Sequence, residues 1–228
     1  MNSEQGSPAS ITDRWIAIRL FATVYLFCLF FMDSSPHGVF TGVNRFQYIA
    51  YALIEDHSID ISGVEKLYGE ITDAYGIRGR RIPIVNPGVG LLATPAYGLS
   101  SLLHVEERIG ALIGSHAVIT YRGLIFALAV NSPLAAVFVV SLWLMLRWLG
   151  LTRRLSLCLA IWMGWGNMAA YYFTAGTNVQ TAAETALTSA AWLFIVGFER
   201  NRNIGAPAPM FVAGLFLGLA ILVNVPAL

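Results

Sequence analysis

Apolar runs of roughly 20 residues constrain this chain more than any other feature, because that is the length of helix needed to cross a bilayer core of ~30 Å. The first, "WIAIRLFATVYLFCLFFM", runs from Trp15 to Met32, opened by Arg14 and closed by Asp33. Composition agrees: 57% of residues are hydrophobic and 12% charged, where soluble domains carry about 25% charged residues. The pattern predicts an all-α integral membrane protein, a multi-span helical bundle.

Four more clear spans follow, at Leu124 to Leu146, Leu155 to Thr174, Val179 to Phe198 and Pro209 to Pro226. Residues 1–14 are polar and are expected to form a cytoplasmic tail. The stretch after the first span offers no small-residue cleavage site, so 15–32 is expected to be a retained signal anchor. Residues 33–121 hold most of the polar chemistry: of 13 acidic residues, nine lie between Asp33 and Glu107. In this region Phe46, Ile49, Leu53 and Ile54 recur at helical spacing, and Ile59 and Ile61 then alternate with Asp60 and Ser62. The pattern predicts an amphipathic helix followed by a short strand. Gly69, Gly76 and Gly79 predict irregular surface structure beyond it.

One apolar stretch is ambiguous. "VNPGVGLLATPAYGLSSLL", Val85 to Leu103, is long enough to span. Short loops rich in Lys and Arg stay in the cytoplasm. Three short segments are basic: Arg14 with Arg19, Arg147 with Arg153 and Arg154, and Arg200 with Arg202. With the N-terminus inside, all three are cytoplasmic only if 85–103 does not cross. Pro87, Gly88, Gly90, Pro95 and Gly98 also make it a poor regular helix. The expectation is a juxtamembrane or re-entrant segment in one large outer (periplasmic) loop, 33–121. Four further spans then lie within 122–228, giving about five in all.

Candidate chemistry sits mainly in that loop. Asp33 stands where the first span leaves the bilayer, placed to take a proton from a polar acceptor. "EDHSID" groups Glu55, Asp56, His57 and Asp60. It could shuttle protons or hold a divalent cation, although no metal motif indicates one, and the cofactor requirement is open. Arg78, Arg80 and Arg81 could hold a lipid phosphate, since guanidinium pairs bidentately with phosphate oxygens. Glu184 lies within a predicted span, where a carboxylate is costly and a functional site by default. Asn167, Asn178 and Gln180 lie toward the same outer side. Cys28 and Cys158 each lie in an apolar run and are expected to be small core residues. No Walker or GxGxxG pattern occurs, and no nucleic-acid partner is expected.

Several motifs occur in a characteristic order: "RFQYIAYALIEDHSIDISG", "NPGVGLLATPAYGL", "LRWLGLTRR", "GWGNMAAYYFTAGT" and "AGLFLGLAILVNVPAL". This order resembles the N-terminal half of bacterial GT-C glycosyltransferases, the group related to protein O-mannosyltransferases and aminoarabinose transferases. The resemblance implies a multi-pass inner-membrane enzyme moving a sugar from a polyprenyl-phosphate donor to a glycan, lipid or protein acceptor on the outer face. It implies Asp33 as catalytic base, with Asp56 and Asp60 as alternatives. Arg45 would join Arg78, Arg80 and Arg81 at the donor phosphate. Such enzymes carry more spans, so the expectation is an N-terminal portion truncated at its C-terminus. Two other readings compete: a non-catalytic membrane subunit, and a small transporter with Glu184 at its site.

Overall fold

The computed structural model describes residues 11–31, 40–68, 70, 74–83, 87–113, 121, 123–166, 173, 179–200 and 208–224. The architecture is mostly helical. The helices are α1 (Ile11–Phe31), α2 (Phe40–Glu55), α3 (Ser62–Tyr68), α4 (Pro87–Leu102), α5 (Val105–Ile113), α6 (Gly123–Trp148), α7 (Arg153–Trp165), α8 (Val179–Arg200) and α9 (Ala208–Asn224). A β-hairpin, β1 (Ala74–Ile77) and β2 (Arg80–Pro83), follows α3. Among the described residues, α1, α6 and α8 are long and apolar enough to cross a membrane, and α9 is a shorter apolar helix. The helix α7 reaches only Trp165. Most of the rest of the expected span to Thr174 lies outside the described residues.

Contacts at the helix ends give the relative directions of these helices. Near the start of α1, Asp13 Oδ1 lies 2.8 Å from Arg153 Nε and 3.8 Å from Arg147 Nε. Higher on α1, the Tyr25 hydroxyl donates to the Leu128 carbonyl at 3.1 Å. Partners on α6 thus run backwards as α1 runs forwards, so the two are antiparallel. A tight turn then joins α6 to α7. The Gly150 N–H bonds the Arg147 carbonyl and the Leu151 N–H bonds the Leu146 carbonyl, with Gly150 at φ +88. This is the Schellman arrangement, which favours glycine at the left-handed position. Thr152 then caps α7, its hydroxyl accepting from the Leu155 N–H.

The last two helices fit the same frame. Trp148, at the end of α6, closes over Gly197 near the end of α8, where an added Cβ would lie 3.0 Å from the indole ring. Phe194 stacks on Phe216 with centroids 5.8 Å apart. Ala183 and Leu187, early in α8, share a core with Ala220 and Val223, late in α9. Hence α8 is parallel to α6 and antiparallel to α9.

Two apolar cores result. One joins α1, α6, α7 and α8 around Val24, Phe138, Trp143 and Ala160. The other joins α2, α3 and α4 to the first part of α6, the first part of α8 and the last part of α9, around Ile49, Tyr97, Phe126 and Val223. Helix α8 belongs to both, through Ala182 and Ala186 on one side and Ala183 and Leu187 on the other.

α6 contains a π-helical turn, Ala127–Asn131. The Ser132 N–H bonds the Ala127 carbonyl, five residues back. In that register the Leu128 carbonyl would need the N–H of residue 133, which is a proline without one. The Tyr25 hydroxyl fills the vacancy from the neighbouring helix. In lipid such a carbonyl must find a protein donor.

Cys28 is buried as expected, but Cys158 is exposed on α7 and not a core residue. Four further expectations need correction. The stretch 85–103, expected to make a poor regular helix, is continuously α-helical from Pro87 to Leu102. Pro87 opens it, where the missing N–H has no intrahelical partner to lose. Gly88 permits contact with α9: a Cβ there would lie 2.6 Å from the Leu222 backbone. The short strand expected at Ile59–Ser62 is absent, because Asp60 turns the chain into α3. The irregular stretch is partly an ordered hairpin. Its two turn residues, Arg78 (φ 51) and Gly79 (φ 80), form the primed turn that matches strand twist. Finally, α1 begins at Ile11, so the last part of the expected tail is helical.

Candidate functional site

The loop carboxylates and arginines meet where the hairpin docks on α3. Asp60 stands two residues before α3. Its Oδ1 accepts from the Ser62 N–H at 3.0 Å, the Ser62 hydroxyl at 2.6 Å and the Arg81 N–H at 3.0 Å. Short polar side chains at this position commonly bond the backbone ahead. Here the same oxygen also reaches across to β2, and the Ile61 N–H adds a bond to the Arg81 carbonyl. The hydrogen bond from Ser62 leads in holding the Asp60 carboxyl below its ordinary value of 3.8, with burial opposing. Backbone donors from Ser62 and Arg81 and the charge of Arg80 act in the same direction as the Ser62 hydroxyl.

Arg81 is fixed at its other end. Its Nε donates to Glu65 Oε2 at 2.8 Å and its Nη2 to Glu65 Oε1 at 3.0 Å, and Glu65 is buried. This bidentate pair joins residues 16 apart and has no local sequence signature. Arg81, a sequence candidate for phosphate, is therefore committed largely to the fold. Arg78 at the turn and Arg80 beside it remain exposed. Side chains alternate across a strand, so the register Ile77↔Arg80 and Tyr75↔Ile82 places these four on one face. Arg81 is on the other.

"EDHSID" is dispersed. Glu55 accepts from the Ser101 hydroxyl of α4 at 3.2 Å. Asp56 is exposed and lies over Gly63, where a Cβ would come within 2.9 Å of its carboxylate. His57 turns back toward the Leu53 carbonyl. Among the described residues no group of three His, Cys, Asp or Glu side chains is placed to hold a metal ion. Asp33, Asn167 and Asn178, and the side chain of Arg45, lie outside the described residues. Glu184 and Gln180 are half-buried on α8.

Sequence reasoning missed one feature. An open cleft of about 320 Å³ lies between the second half of α4 and the first turns of α6. Leu99, Leu103, Ile125 and Leu128 line it, and it is almost entirely apolar. Ser100 and Tyr121, whose hydroxyls lie 3.0 Å apart, are also in its lining. Leu128 and Ala129 of the π turn form part of the wall. Pro133, just after the π turn of α6, was a sequence signal for an irregular turn, but nothing local indicated a cleft. No family model, curated protein or solved structure matches this chain.

Proposed function

We propose that this chain is a membrane glycosyltransferase of GT-C type, moving a sugar from a polyprenyl-phosphate donor to an acceptor outside the inner membrane. The observation that carries the reading is the placing of the α2–α5 unit at one end of the helical bundle, with an apolar cleft at the junction. Chemistry on a lipid-linked sugar needs an apolar seat for the chain beside a polar loop for the transfer.

The helix directions and the arginines support one membrane orientation. The start of α1, the end of α6 and the start of α7 meet at one end, with Arg14, Arg147, Arg153 and Arg154. The positive-inside rule makes that end cytoplasmic. Then α1 passes out, α6 in, α7 out, α8 in and α9 out, five passes in all. Residues 32–122 lie outside, α4 among them.

In the proposed reaction a hydroxyl of the acceptor attacks the anomeric carbon of the sugar. The new bond to the acceptor oxygen forms as the bond to the donor phosphate oxygen breaks. The polyprenyl phosphate leaves, and Asp33 receives the hydroxyl proton. Arg78 and Arg80, the exposed members of the basic group, face the departing phosphate, and the cleft holds the first isoprene units. A non-catalytic scaffold is the competing reading. It is favoured by one observation: Asp60 and Glu65 both accept from Arg81 in holding the loop together.

The test uses the full chain in liposomes, supplied with a panel of polyprenyl-phosphate hexoses and pentoses. Transfer by the wild type, abolished in Asp33→Asn with insertion unchanged, is expected. Full transfer by Asp33→Asn removes Asp33 from the mechanism. No transfer from any donor favours the scaffold.

A further inference from the structure

The proposed reaction leaves the opposite end of the bundle unused, and its charge there is unusual. Trp15, Ile18, Arg19, Ala22 and Leu26 form the exposed face of α1, with Trp15 and Ile18 each 57% exposed. Arg19 stands in the middle of that face, about two turns inside the helix. A guanidinium among lipid-facing apolar groups is costly unless it reaches the interface. Side chains of a helix lean toward its N-terminus, so Arg19 extends back toward the level of Trp15 and Arg14.

Nothing among the described residues neutralises this charge. Among the described residues Arg14 and Arg19 make no ion pair or hydrogen bond. The adjacent carboxylate, Asp13, is buried and bonded to Arg153, with Arg147 also close. Arg153 and Arg154 are exposed at the start of α7 and add to the same field. Trp15, one helical turn before Arg19, carries an indole suited to the headgroup level.

We propose that this basic patch at the start of α1 is a docking site for the headgroup of an anionic phospholipid in the cytoplasmic leaflet. Arg19 and Arg14 grip the phosphate, and Trp15 packs beside the glycerol region. The ligand is a lipid rather than a free anion because Ile18, Ala22 and Leu26 continue the same face where acyl chains lie. An anionic headgroup is favoured over a zwitterionic one because it brings no cation of its own to oppose the arginines. The site rests on α1 crossing a bilayer with its start in the cytoplasm, and does not depend on sugar transfer.

Native mass spectrometry of the full chain in neutral detergent, titrated with phosphatidylglycerol or phosphatidylcholine, tests it. The wild type is expected to retain phosphatidylglycerol in preference. Arg14→Gln and Arg19→Gln should each weaken that binding about fivefold, with phosphatidylcholine unchanged, and Arg19→Lys should restore part of it. Should Arg19→Gln fail to fold, Arg14→Gln in the exposed first turn carries the test alone. Equal retention of the two lipids by the wild type overturns the proposal. So does an unchanged preference in Arg14→Gln, or displacement of the lipid by inorganic phosphate. A chain that keeps the preference yet transfers no sugar retains this site and loses only the enzyme reading.

Discussion

At the scale of single residues, one carboxylate oxygen organises the loop. Asp60 accepts three hydrogen bonds and thereby joins the start of α3 to β2. Its pKa is lowered below 3.8 in the folded state. The stabilisation it brings is therefore complete above the unfolded value and is lost as pH falls through the folded value. Hydrogen exchange should show the Arg81 amide protected at pH 7 and released only in acid below the ordinary carboxylate value of 3.8. Asp60→Ala should release it at both, at a cost of about 1 kcal/mol. Tyr25 is the second such residue. Removing its hydroxyl leaves the Leu128 carbonyl without that donor, so Tyr25→Phe should destabilise the bundle by about 0.6–1.7 kcal/mol in bicelle unfolding. The sequence disclosed Asp60 as a candidate, but not its role. Its partner Arg81 lies 21 residues away, beyond the reach of any periodicity.

At the scale of elements, α4 is the clearest case of packing overruling propensity. Its prolines and glycines argue against a regular helix. Yet Val89, Ala93 and Tyr97 bury one face against α2 and α9, and Tyr97 meets Tyr51 with ring centroids 5.0 Å apart. The glycines supply proximity rather than flexibility. Gly88→Ala should force α4 and α9 apart, since backbone rather than a movable side chain occupies the space. Overpacking of this kind costs about 1–3 kcal/mol. A disulfide engineered between the start of α4 and the end of α9 should form far less readily in that variant. The hairpin was missed for a different reason. Its turn, Arg78–Gly79, is a legible signal, but the strands are four residues each and too short for an alternation to stand out. They persist because Asp60, Ile61 and Glu65 hold β2 from one side.

At the scale of the whole molecule, the helix directions make a prediction about sidedness. Single cysteines placed at Thr152 and at Tyr75 should be labelled by an impermeant maleimide from opposite sides of the membrane. Same-side labelling would mean that 87–102 crosses after all, and the proposed outer site would then lose its location. The directions rest on contacts between distant residues, such as Asp13 with Arg153 and Trp148 with Gly197.

The sequence by itself determined that the chain is mostly helical, that several helices are long and apolar enough to cross a membrane, and where its longest helices lie. Those facts follow from the apolar run length and from the cost of unpaired backbone in lipid, both of which are local. It also indicated the short connection between α6 and α7, because Arg147, Arg153 and Arg154 interrupt the apolar run locally. Only the tertiary structure decided that α4 is a packed helix, that Arg81 belongs to Glu65, and that an apolar cleft opens beside the π turn. Each of these depends on groups brought together from separate elements, and the energy of such contacts leaves no periodic trace along the chain.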